Sequence, residues 1–303
     1  MITYVNGDLF ASPAKVLVNT VNTVGVMGKG IAYDFKRVYP EMFGLYQRFC
    51  ENRQFDVGKL WIYKTSHKWI LNFPTKKHWR NKSKTEYIRS GLRKFVDTYD
   101  SKGIVSISFP MLGCGNGELE WDSQVQPLME EYLRPLPIDI YIHLYRAGTG
   151  FVPEHRNTSE MRKWLRSEPR FLPFVEFWDD IVSLATTETE ILSLDKSNRF
   201  TVTTDLFRQT LQFEYGSGSF QIHKDAFEDL WTQIRPSGYF PIRDLAFDKS
   251  TYDMIVASFL RELPYVSPIQ LTQSPEAKRW DIGLLLSVQP SEAVSESHVV
   301  LSA

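Results

Sequence analysis

The segment spanning residues 16–35, VLVNTVNTVGVMGKGIAYDF, places the strongest constraint on the fold. Val16–Val18 predicts a short buried strand, and Ile31–Arg37 predicts an amphipathic helix. Three glycines surround Lys29 in the intervening turn: Gly25, Gly28 and Gly30. Glycines let the backbone approach an anion, and free N–H groups at a helix N-terminus point at it. The spacing matches neither a Walker A loop nor a dinucleotide fingerprint, so a plain connecting turn is an equally open interpretation.

Length and composition indicate a globular protein with two domains. The chain has 303 residues, of which 43% are hydrophobic, and a formal charge of −1. Without an apolar run of about 18 residues or a signal pattern, we expect a cytoplasmic protein with no membrane partner. With Cys50 and Cys114 as its only cysteines, we expect neither a disulfide framework nor a zinc site. We also expect no other metal and no cofactor.

Charge is distributed unevenly between the halves of the chain. Residues 1–150 carry 20 Lys and Arg against 14 Asp and Glu, whereas residues 151–303 carry 15 against 22. Between Lys59 and Lys94 there are 11 basic residues and one acid, Glu86. A basic first half favours a polyanionic partner, and an ordinary solvated surface is the alternative.

Strands and helices alternate through the first half of the chain. Strands are predicted at Ile2–Val5, Val16–Val18, Leu60–Tyr63, Trp69–Phe73, Ile104–Phe109 and Ile138–Leu144. Helices are predicted at Ile31–Arg37, Pro40–Cys50, Thr85–Ser101 and Trp121–Leu133. This alternation is typical of an α/β sandwich with a mixed, largely parallel sheet, whose ligands bind beyond the carboxyl ends of the strands. Polar or glycine-rich segments follow several of these strands, so we expect them to meet at one edge.

Four motifs, in this order, resemble the macrodomain family over about residues 1–146: Asn6–Leu9, Val18–Asn22, Gly25–Ala32 and Gly113–Gly115. Asn72–Arg80, followed by Lys82, is similar to the DarG branch of that family, which is related to the human terminal ADP-ribose glycohydrolase. The resemblance implies a three-layer α/β/α sandwich. DarG enzymes remove ADP-ribose that a partner toxin, DarT, attaches to bases of single-stranded DNA.

The resemblance also implies roles for individual residues. Asp8 would accept a hydrogen bond from the adenine amino group, and Asn22 would contact the distal ribose. The Gly25–Ala32 loop would hold the diphosphate, and the Gly113–Gly117 loop would close over it. The full set of expected ADP-ribose contacts is Asp8, Leu9, Asn19, Asn22, Gly28, Lys29, Gly30, Ile31, Ala32, Thr75, Leu112, Gly113, Cys114, Gly115, Asn116 and Gly117.

Lys76 matches the catalytic lysine of this branch. When a glycosidic bond breaks, an amine can capture the C1″ carbon, provided that the amine is neutral. Free lysine has a pKa of about 10.4, so this role requires burial or nearby cations, for which Lys77 and Arg80 are available in the sequence. A pair of ordinary exposed loop lysines at 76 and 77 is the alternative.

The proton donor is not assigned by sequence. The human enzyme has an aspartate where this chain has Gly117, Glu118 lies next to it, and DarG-like members also lack that aspartate. His78 is a candidate by its titration range, and a histidine that only packs locally is as plausible. Cys114 lies between glycines without a basic partner, which favours a structural role.

The loop after the fourth strand is also the candidate DNA contact. We expect Trp79 to be exposed there and to stack on a base, with Lys77, His78, Arg80 and Lys82 tracking phosphates. A single-stranded substrate suits this arrangement because the modified base does not have to be flipped out of a duplex.

The domain prediction is a macrodomain at 1–147, a linker at 148–170, an interaction domain at 171–270 and a largely flexible tail at 271–303. The interaction domain is predicted as a small α+β, winged-helix-like unit. DarG proteins bind their toxin through a C-terminal domain, and the acidic balance here fits a basic partner. A plain globular appendage is the alternative. We expect a monomer in the absence of toxin.

The resemblance therefore predicts an ADP-ribosyl glycohydrolase that acts on DNA as the antitoxin of a DarT-like toxin. Two alternatives stay open: a non-catalytic ADP-ribose reader and a hydrolase of protein-linked ADP-ribose. The presence of Lys76 favours an enzyme, because a reader needs no such residue.

Overall fold

The computed structural model describes residues 1–144, 151–187, 190–216, 218–245, 247, 249–272 and 281–287. The chain divides into two compact units, Met1–Arg162 and Lys163–Ala303. This division falls inside the segment predicted as a linker, which contains a helix at Thr158–Ser167. Across the described ranges, every helix is too short or too polar to cross a lipid bilayer.

The first unit is built on a six-stranded mixed sheet. Its strands are β1 (Ile2–Val5), β2 (Val16–Val21), β3 (Trp61–Lys64), β4 (Trp69–Pro74), β5 (Ser106–Pro110) and β6 (Asp139–His143). They are arranged in the order β1-β6-β5-β2-β4-β3, and every neighbouring pair is parallel except β3 and β4. The prediction of a mixed, largely parallel sheet is confirmed.

Helices cover both faces of this sheet. They are α1 (Gly30–Val38), α2 (Pro40–Glu51), α3 (Thr85–Thr98) and α4 (Gln126–Leu133), with α5 (Thr158–Ser167) following at the boundary between the units. Strand β2 shows why two layers are needed. Val16 and Val18 belong to the core shared with α3 and α4, whereas Leu17 and Val21 belong to the core shared with α1 and α2. The predicted three-layer sandwich is confirmed.

The sheet topology fixes where the loops meet. Five strands run parallel, so the segments that follow β1, β2, β4, β5 and β6 all leave the sheet at the same edge. The residues at this edge include Asp8, the glycine segment after β2, and Lys76. This is the edge at which open α/β sheets bind ligands.

The second unit contains helices and two antiparallel sheets, which confirms the predicted α+β class. One sheet comprises β7 (Ile191–Leu192), β8 (Arg199–Asp205), β9 (Thr210–Tyr215) and β10 (Gly218–His223). The other comprises β11 (Tyr239–Pro241), β12 (Val266–Leu271) and β13 (Asp281–Leu286). The helices are α6 (Phe174–Ala185), α7 (Lys224–Ser237) and α8 (Ser250–Leu260).

The predicted flexible tail at 271–303 requires a correction. Asp281–Leu286 pairs with both β11 and β12 as the central strand of its sheet, so the expectation of flexibility is wrong for this segment. The apolar run Leu284–Leu286 ends this strand, and the Ser, Pro and Glu content around it concealed that run. Residues 273–280 and 288–303 lie outside the described part of the chain. The winged-helix-like arrangement stays a prediction.

Packing between α3 and β4 generates a stability prediction. A Cβ added at Gly91 would lie 2.2 Å from Phe73 Cζ, whereas one at Gly44 meets nothing within 4 Å. We expect Gly91→Ala to destabilise the first unit by about 1–3 kcal/mol, because overpacking outweighs the gain in helix propensity. Gly44→Ala, the matched control, should stabilise it by about 0.5–1 kcal/mol. Urea unfolding followed by circular dichroism measures both, and a neutral or stabilising Gly91→Ala would contradict this packing.

Candidate active site

A cleft with a volume of about 1580 Å³ opens at the carboxyl edge of the first unit's sheet. Most of the expected contact residues line it: Asp8, Leu9, Asn22, Gly28, Lys29, Gly30, Ile31, Ala32, Thr75, Lys76, Gly113, Cys114, Gly115, Asn116 and Gly117. His143, Phe151 and Glu154, which the sequence interpretation did not select, line it as well. The structure therefore brings four separate sequence motifs to one concave surface.

Two expected contacts lie in the core instead. Asn19 is fully buried, and its Nδ2 donates to Asn72 Oδ1 at 3.0 Å. Leu112 is also fully buried and belongs to the apolar core on the α3 face of the sheet. Neither lines the cleft. Asn19 lies on a central strand that is covered on both faces, where an amide must pair with another polar side chain.

Asn22 shapes the glycine segment through its side chain. Its Oδ1 accepts from the N–H groups of Val24 at 3.1 Å and Val26 at 3.3 Å, and its Nδ2 donates to Val26 O at 2.7 Å. The Tyr46 hydroxyl donates to Asn22 O at 2.8 Å. Burial raises the pKa of Tyr46 well above its ordinary value, so this hydroxyl stays protonated. The expected distal-ribose contact thus also holds the loop in place.

The N-terminus of α1 faces the cleft through Gly30, Ile31 and Ala32. Gly30 has a φ of +61°, and a Cβ there would lie 2.9 Å from Asn116 Nδ2. Both the positive φ and the close approach of the opposite loop require glycine. Unpaired N–H groups and the helix dipole make this end of α1 suited to an anionic group.

Lys76 lies directly after β4 and is 4% exposed. The backbone is held on both sides of it, because Thr75 N donates to Val21 O at 2.9 Å and Thr23 Oγ1 donates to Lys77 O at 2.8 Å. Lys76 Nζ lies 2.9 Å from Glu154 Oε1. The solvated-loop interpretation is thus wrong for Lys76, and it describes the exposed Lys77.

Residues 151–156, named the strap here, contact both loops that flank Lys76. Lys29 Nζ donates to Val152 O at 2.9 Å, and Glu154 N donates to Asn116 Oδ1 at 3.2 Å. Glu154 begins a short 3₁₀ turn after Pro153. A single glutamate in a segment interpreted as a linker carries no sequence signal, which is why Glu154 was missed.

Glu118 anchors the far end of the strap. It accepts from Lys82 Nζ at 2.8 Å and contacts His155 Nε2 at 3.1 Å, and it pairs with Arg156. The hydrogen bond from Lys82, followed by that from His155, lowers the pKa of Glu118 from 4.5 to about 2. Since it stays ionised and does not line the cleft, Glu118 is a structural anchor and not a proton donor.

His143, at the end of β6, lines the cleft near Asp8. Its Nδ1 lies 3.0 Å from Gly7 O, and because a carbonyl only accepts, Nδ1 carries the proton. Its buried Nε2 has no hydrogen-bond partner among the described residues and can accept one from a ligand. Asp8 caps the adjacent 3₁₀ turn by accepting from Phe10 N at 3.0 Å.

The expectation of an exposed Trp79 is wrong. Its side chain is 0% exposed, and the Arg80 guanidinium lies 5.0 Å from its ring centroid. Stacking on an unpaired base requires an accessible face, so Trp79 is not carried forward as a DNA contact. Its charged sequence neighbours suggested a surface loop, whereas the ring packs inward. Among those neighbours, Lys77 and Lys82 are exposed and His78 and Arg80 are half-buried.

The chemistry of the remaining candidates is limited. Burial, followed by Glu120 and Asp122, raises the pKa of Cys114 to about 12, so its thiol stays protonated and is a poor nucleophile. Within the described ranges, no group of three or more His, Cys, Asp or Glu could hold a metal ion. In contrast, Lys76 and Glu154 form a buried ion pair in the cleft, with Nζ and Oε1 2.9 Å apart.

Comparison with known proteins agrees with this geometry. A family model described as Macro domain matches residues 18–128. Human "ADP-ribose glycohydrolase OARD1" is 32% identical over 143 residues, covering 47% of this chain and 90% of that protein. The chain belongs to the macrodomain family. The region of similarity coincides with the unit that carries the cleft.

Two longer bacterial macrodomain proteins are more similar. "DNA ADP-ribosyl glycohydrolase" of Mycobacterium tuberculosis is 45% identical over 153 residues, covering 49% of this chain and 44% of that protein. The "DNA ADP-ribosyl transferase-DNA ADP-ribosyl glycohydrolase fusion protein" of Thermosipho africanus is 41% identical over 162 residues, covering 47% of this chain and 42% of that protein. The matched region thus spans less than half the length of either relative.

The anchoring role of Glu118 generates a pH prediction. Its native pKa of about 2 is below the ordinary 4.5, so its stabilisation is present above about pH 4.5 and is lost as the pH falls towards 2. We expect Glu118→Gln to lower the free energy of unfolding at pH 7 by about 1 kcal/mol, because the ion pairs are partly solvated. The difference from wild type should shrink below about pH 4.5.

Denaturant unfolding between pH 2.5 and pH 7 measures this difference. Glu131→Gln is the matched control, because Glu131 forms an exposed ion pair with Arg89 at 3.5 Å. It should change stability by about 0.5 kcal/mol or less. Equal stability of Glu118→Gln and wild type at pH 7 would rule out the anchor.

Proposed function

We propose that this chain is a DNA ADP-ribosyl glycohydrolase, which removes ADP-ribose from bases of single-stranded DNA. The observation that carries the proposal is Lys76, a buried lysine on the wall of a macrodomain cleft. A pure binding module has no need for an amine in that position. The 45% identity to a mycobacterial protein bearing this name supports the choice of linkage.

ADP-ribose would lie along the cleft. Its diphosphate would bind between the N-terminus of α1 and the Gly113–Gly117 loop, where backbone N–H groups are available. The adenine would lie at the Asp8 edge, where His143 Nε2 offers a further acceptor. The distal ribose would then extend past Asn22 towards Lys76, because the glycine segment joins these positions.

The reaction would proceed by attack of Lys76 on C1″ of the distal ribose. Cleavage of the glycosidic bond gives this carbon oxocarbenium character, which an amine can capture. The covalent intermediate is then hydrolysed and the lysine is regenerated. The position of Lys76 favours this role, because its buried side chain lies on the wall of the cleft that the distal ribose would reach.

Cations outside the cleft support a DNA substrate. Lys77 and Lys82 are exposed beside the loop that carries Lys76, and Arg80 is half-buried there. These residues would contact phosphates of the strand, and His78 could assist them. A single strand presents its modified base directly to the cleft. A DNA substrate also implies a cytoplasmic location.

The second unit would provide the partner interaction. The Thermosipho relative is named as a fusion of a transferase and a glycohydrolase, which supports pairing with a DarT-like enzyme. Residues 151–303 carry 15 basic against 22 acidic side chains, a surface suited to a basic protein. We propose that residues 171–270 bind such a toxin and that the chain is otherwise monomeric.

The proposal predicts that Lys76→Ala abolishes release of ADP-ribose from a single-stranded oligonucleotide modified on thymine. We expect a loss of about 10³-fold or more in the single-turnover rate, because the nucleophile is removed. Affinity for free ADP-ribose should change by less than about tenfold, or 1.4 kcal/mol. Lys94→Ala, an exposed position on α3, is the control and should retain full activity.

Other outcomes separate the alternatives. Full activity of Lys76→Ala with intact binding would refute the assigned role. No release by wild type despite tight ADP-ribose binding would favour a reader or another linkage. A guanine adduct and an ADP-ribosylated protein, tested next, distinguish those two possibilities.

A further inference from the structure

The Lys76–Glu154 pair is unusual in its burial. The two side chains are only 6% and 8% exposed, and the charged atoms lie 2.9 Å apart. Burying two such ions costs several kcal/mol each, and replacing such a pair by apolar residues is often neutral or stabilising. Stability alone therefore does not explain a carboxylate at this position. Both residues of the pair line the cleft, where they can contact a bound substrate.

The strap forms a wall of the cleft and does not fill it. With the strap in place, the cleft still has a volume of about 1580 Å³. Small-molecule sites typically occupy about 300–1000 Å³, so a nucleotide has room beside Glu154. Lys29 and Asn116 hold the strap backbone on either side, which fixes the carboxylate against Lys76 Nζ.

We propose that Glu154 is the general acid–base catalyst of the reaction, an inference that rests on the proposed function. Lys76 Nζ and Glu154 Oε1 lie 2.9 Å apart, so a proton can pass directly from the ammonium to the carboxylate. This transfer would leave Lys76 as an amine and Glu154 as a carboxylic acid. One proton transfer would thus create both the nucleophile and the proton donor.

The proton balance closes over the two steps. The Lys76 lone pair forms a bond to C1″ as the bond from C1″ to the base nitrogen breaks, and Glu154 gives its proton to that nitrogen. The secondary ammonium then returns a proton to the Glu154 carboxylate. In the second step, water adds to C1″ and the bond to Lys76 breaks. Glu154 gives its proton to the departing Lys76 amine and takes a proton from the attacking water.

No other carboxylate seen in or near the cleft is placed for this role. Glu118 lies outside the cleft lining, and it is ionised and occupied by Lys82, His155 and Arg156. Asp8 caps a turn at the edge where the adenine would bind. Asp34 is an exposed residue in the middle of α1. Among the cleft residues that the structure describes, Glu154 is the carboxylate in contact with Lys76.

The test compares two leaving groups on the full-length chain. One substrate is a thymine-linked ADP-ribosyl oligonucleotide, whose base needs a proton to depart readily. The other is ADP-ribose carrying p-nitrophenolate at C1″, which departs without one. Wild type, Glu154→Gln, Lys76→Ala and the surface control Glu131→Gln are assayed in single turnover, with free ADP-ribose binding measured for each.

We expect Glu154→Gln to lose about 10²-fold or more on the oligonucleotide, as for removal of a general acid. On the p-nitrophenyl substrate it should lose less than about tenfold, because that leaving group needs no proton from a general acid. Lys76→Ala should be inactive on both substrates, and Glu131→Gln should match wild type.

Equal losses by Glu154→Gln on the two substrates would show that Glu154 only positions Lys76, and would overturn the inference. Unchanged or faster turnover by Glu154→Gln would also overturn the inference. It would show that Glu154 takes no part in catalysis or that it slows the reaction. Either result leaves the proposed function intact if wild type is active. Failure of wild type on the oligonucleotide would overturn the proposed function, and the inference with it.

If Glu154→Gln does not fold, Glu154→Asp replaces it. This variant keeps the carboxylate but withdraws it by one methylene. We expect it to lose more activity on the oligonucleotide than on the p-nitrophenyl substrate. The same loss on both would count against the acid role.

Discussion

A buried ion pair between residues 78 positions apart joins the loop after β4 to the strap. It brings a lysine and a glutamate into contact at the one edge of the sheet where parallel strands end together. Contacts from the strap to Lys29 and Asn116, and the anchor at Glu118, hold the two charged groups together. These contacts complete a cleft that the first six strands alone leave open beside Lys76.

The topology explains why one short segment of sequence was so informative. A central strand buried on both faces has to be followed by a loop at the ligand-binding edge, and glycines there are needed for both backbone conformation and close approach. The opposite loop contributes Asn116, which reaches the glycine segment and the strap. Four weak motifs therefore become one site once the sheet order is fixed.

The sandwich, its helices and strands and most of the cleft could be predicted from the sequence. Hydrophobic periodicity and the loops at strand ends depend on residues close together in the chain. It failed where the position of a side chain depends on distant packing. Trp79 lies among charges in sequence but is buried in the fold, and Asn19 lies in a motif but faces Asn72. Glu154 was missed because its contact with Lys76 forms only when the strap returns to that lysine. Asp281–Leu286 was missed because central strands are recognised through their partners.

The most direct test of this account is chemical trapping of the covalent intermediate. In the covalent intermediate, the C1″–O4″ bond can break as the Lys76 nitrogen forms an imine with C1″ and its proton passes to O4″, and borohydride reduces this imine to a stable secondary amine. The wild-type protein would be mixed with ADP-ribosylated oligonucleotide in the presence of borohydride, and its peptides analysed by mass spectrometry. The account predicts a reduced ADP-ribosyl adduct on Lys76, with the exposed neighbour Lys77 unmodified. Turnover of the substrate without an adduct at Lys76, or equal labelling of both lysines, would contradict nucleophilic attack by Lys76.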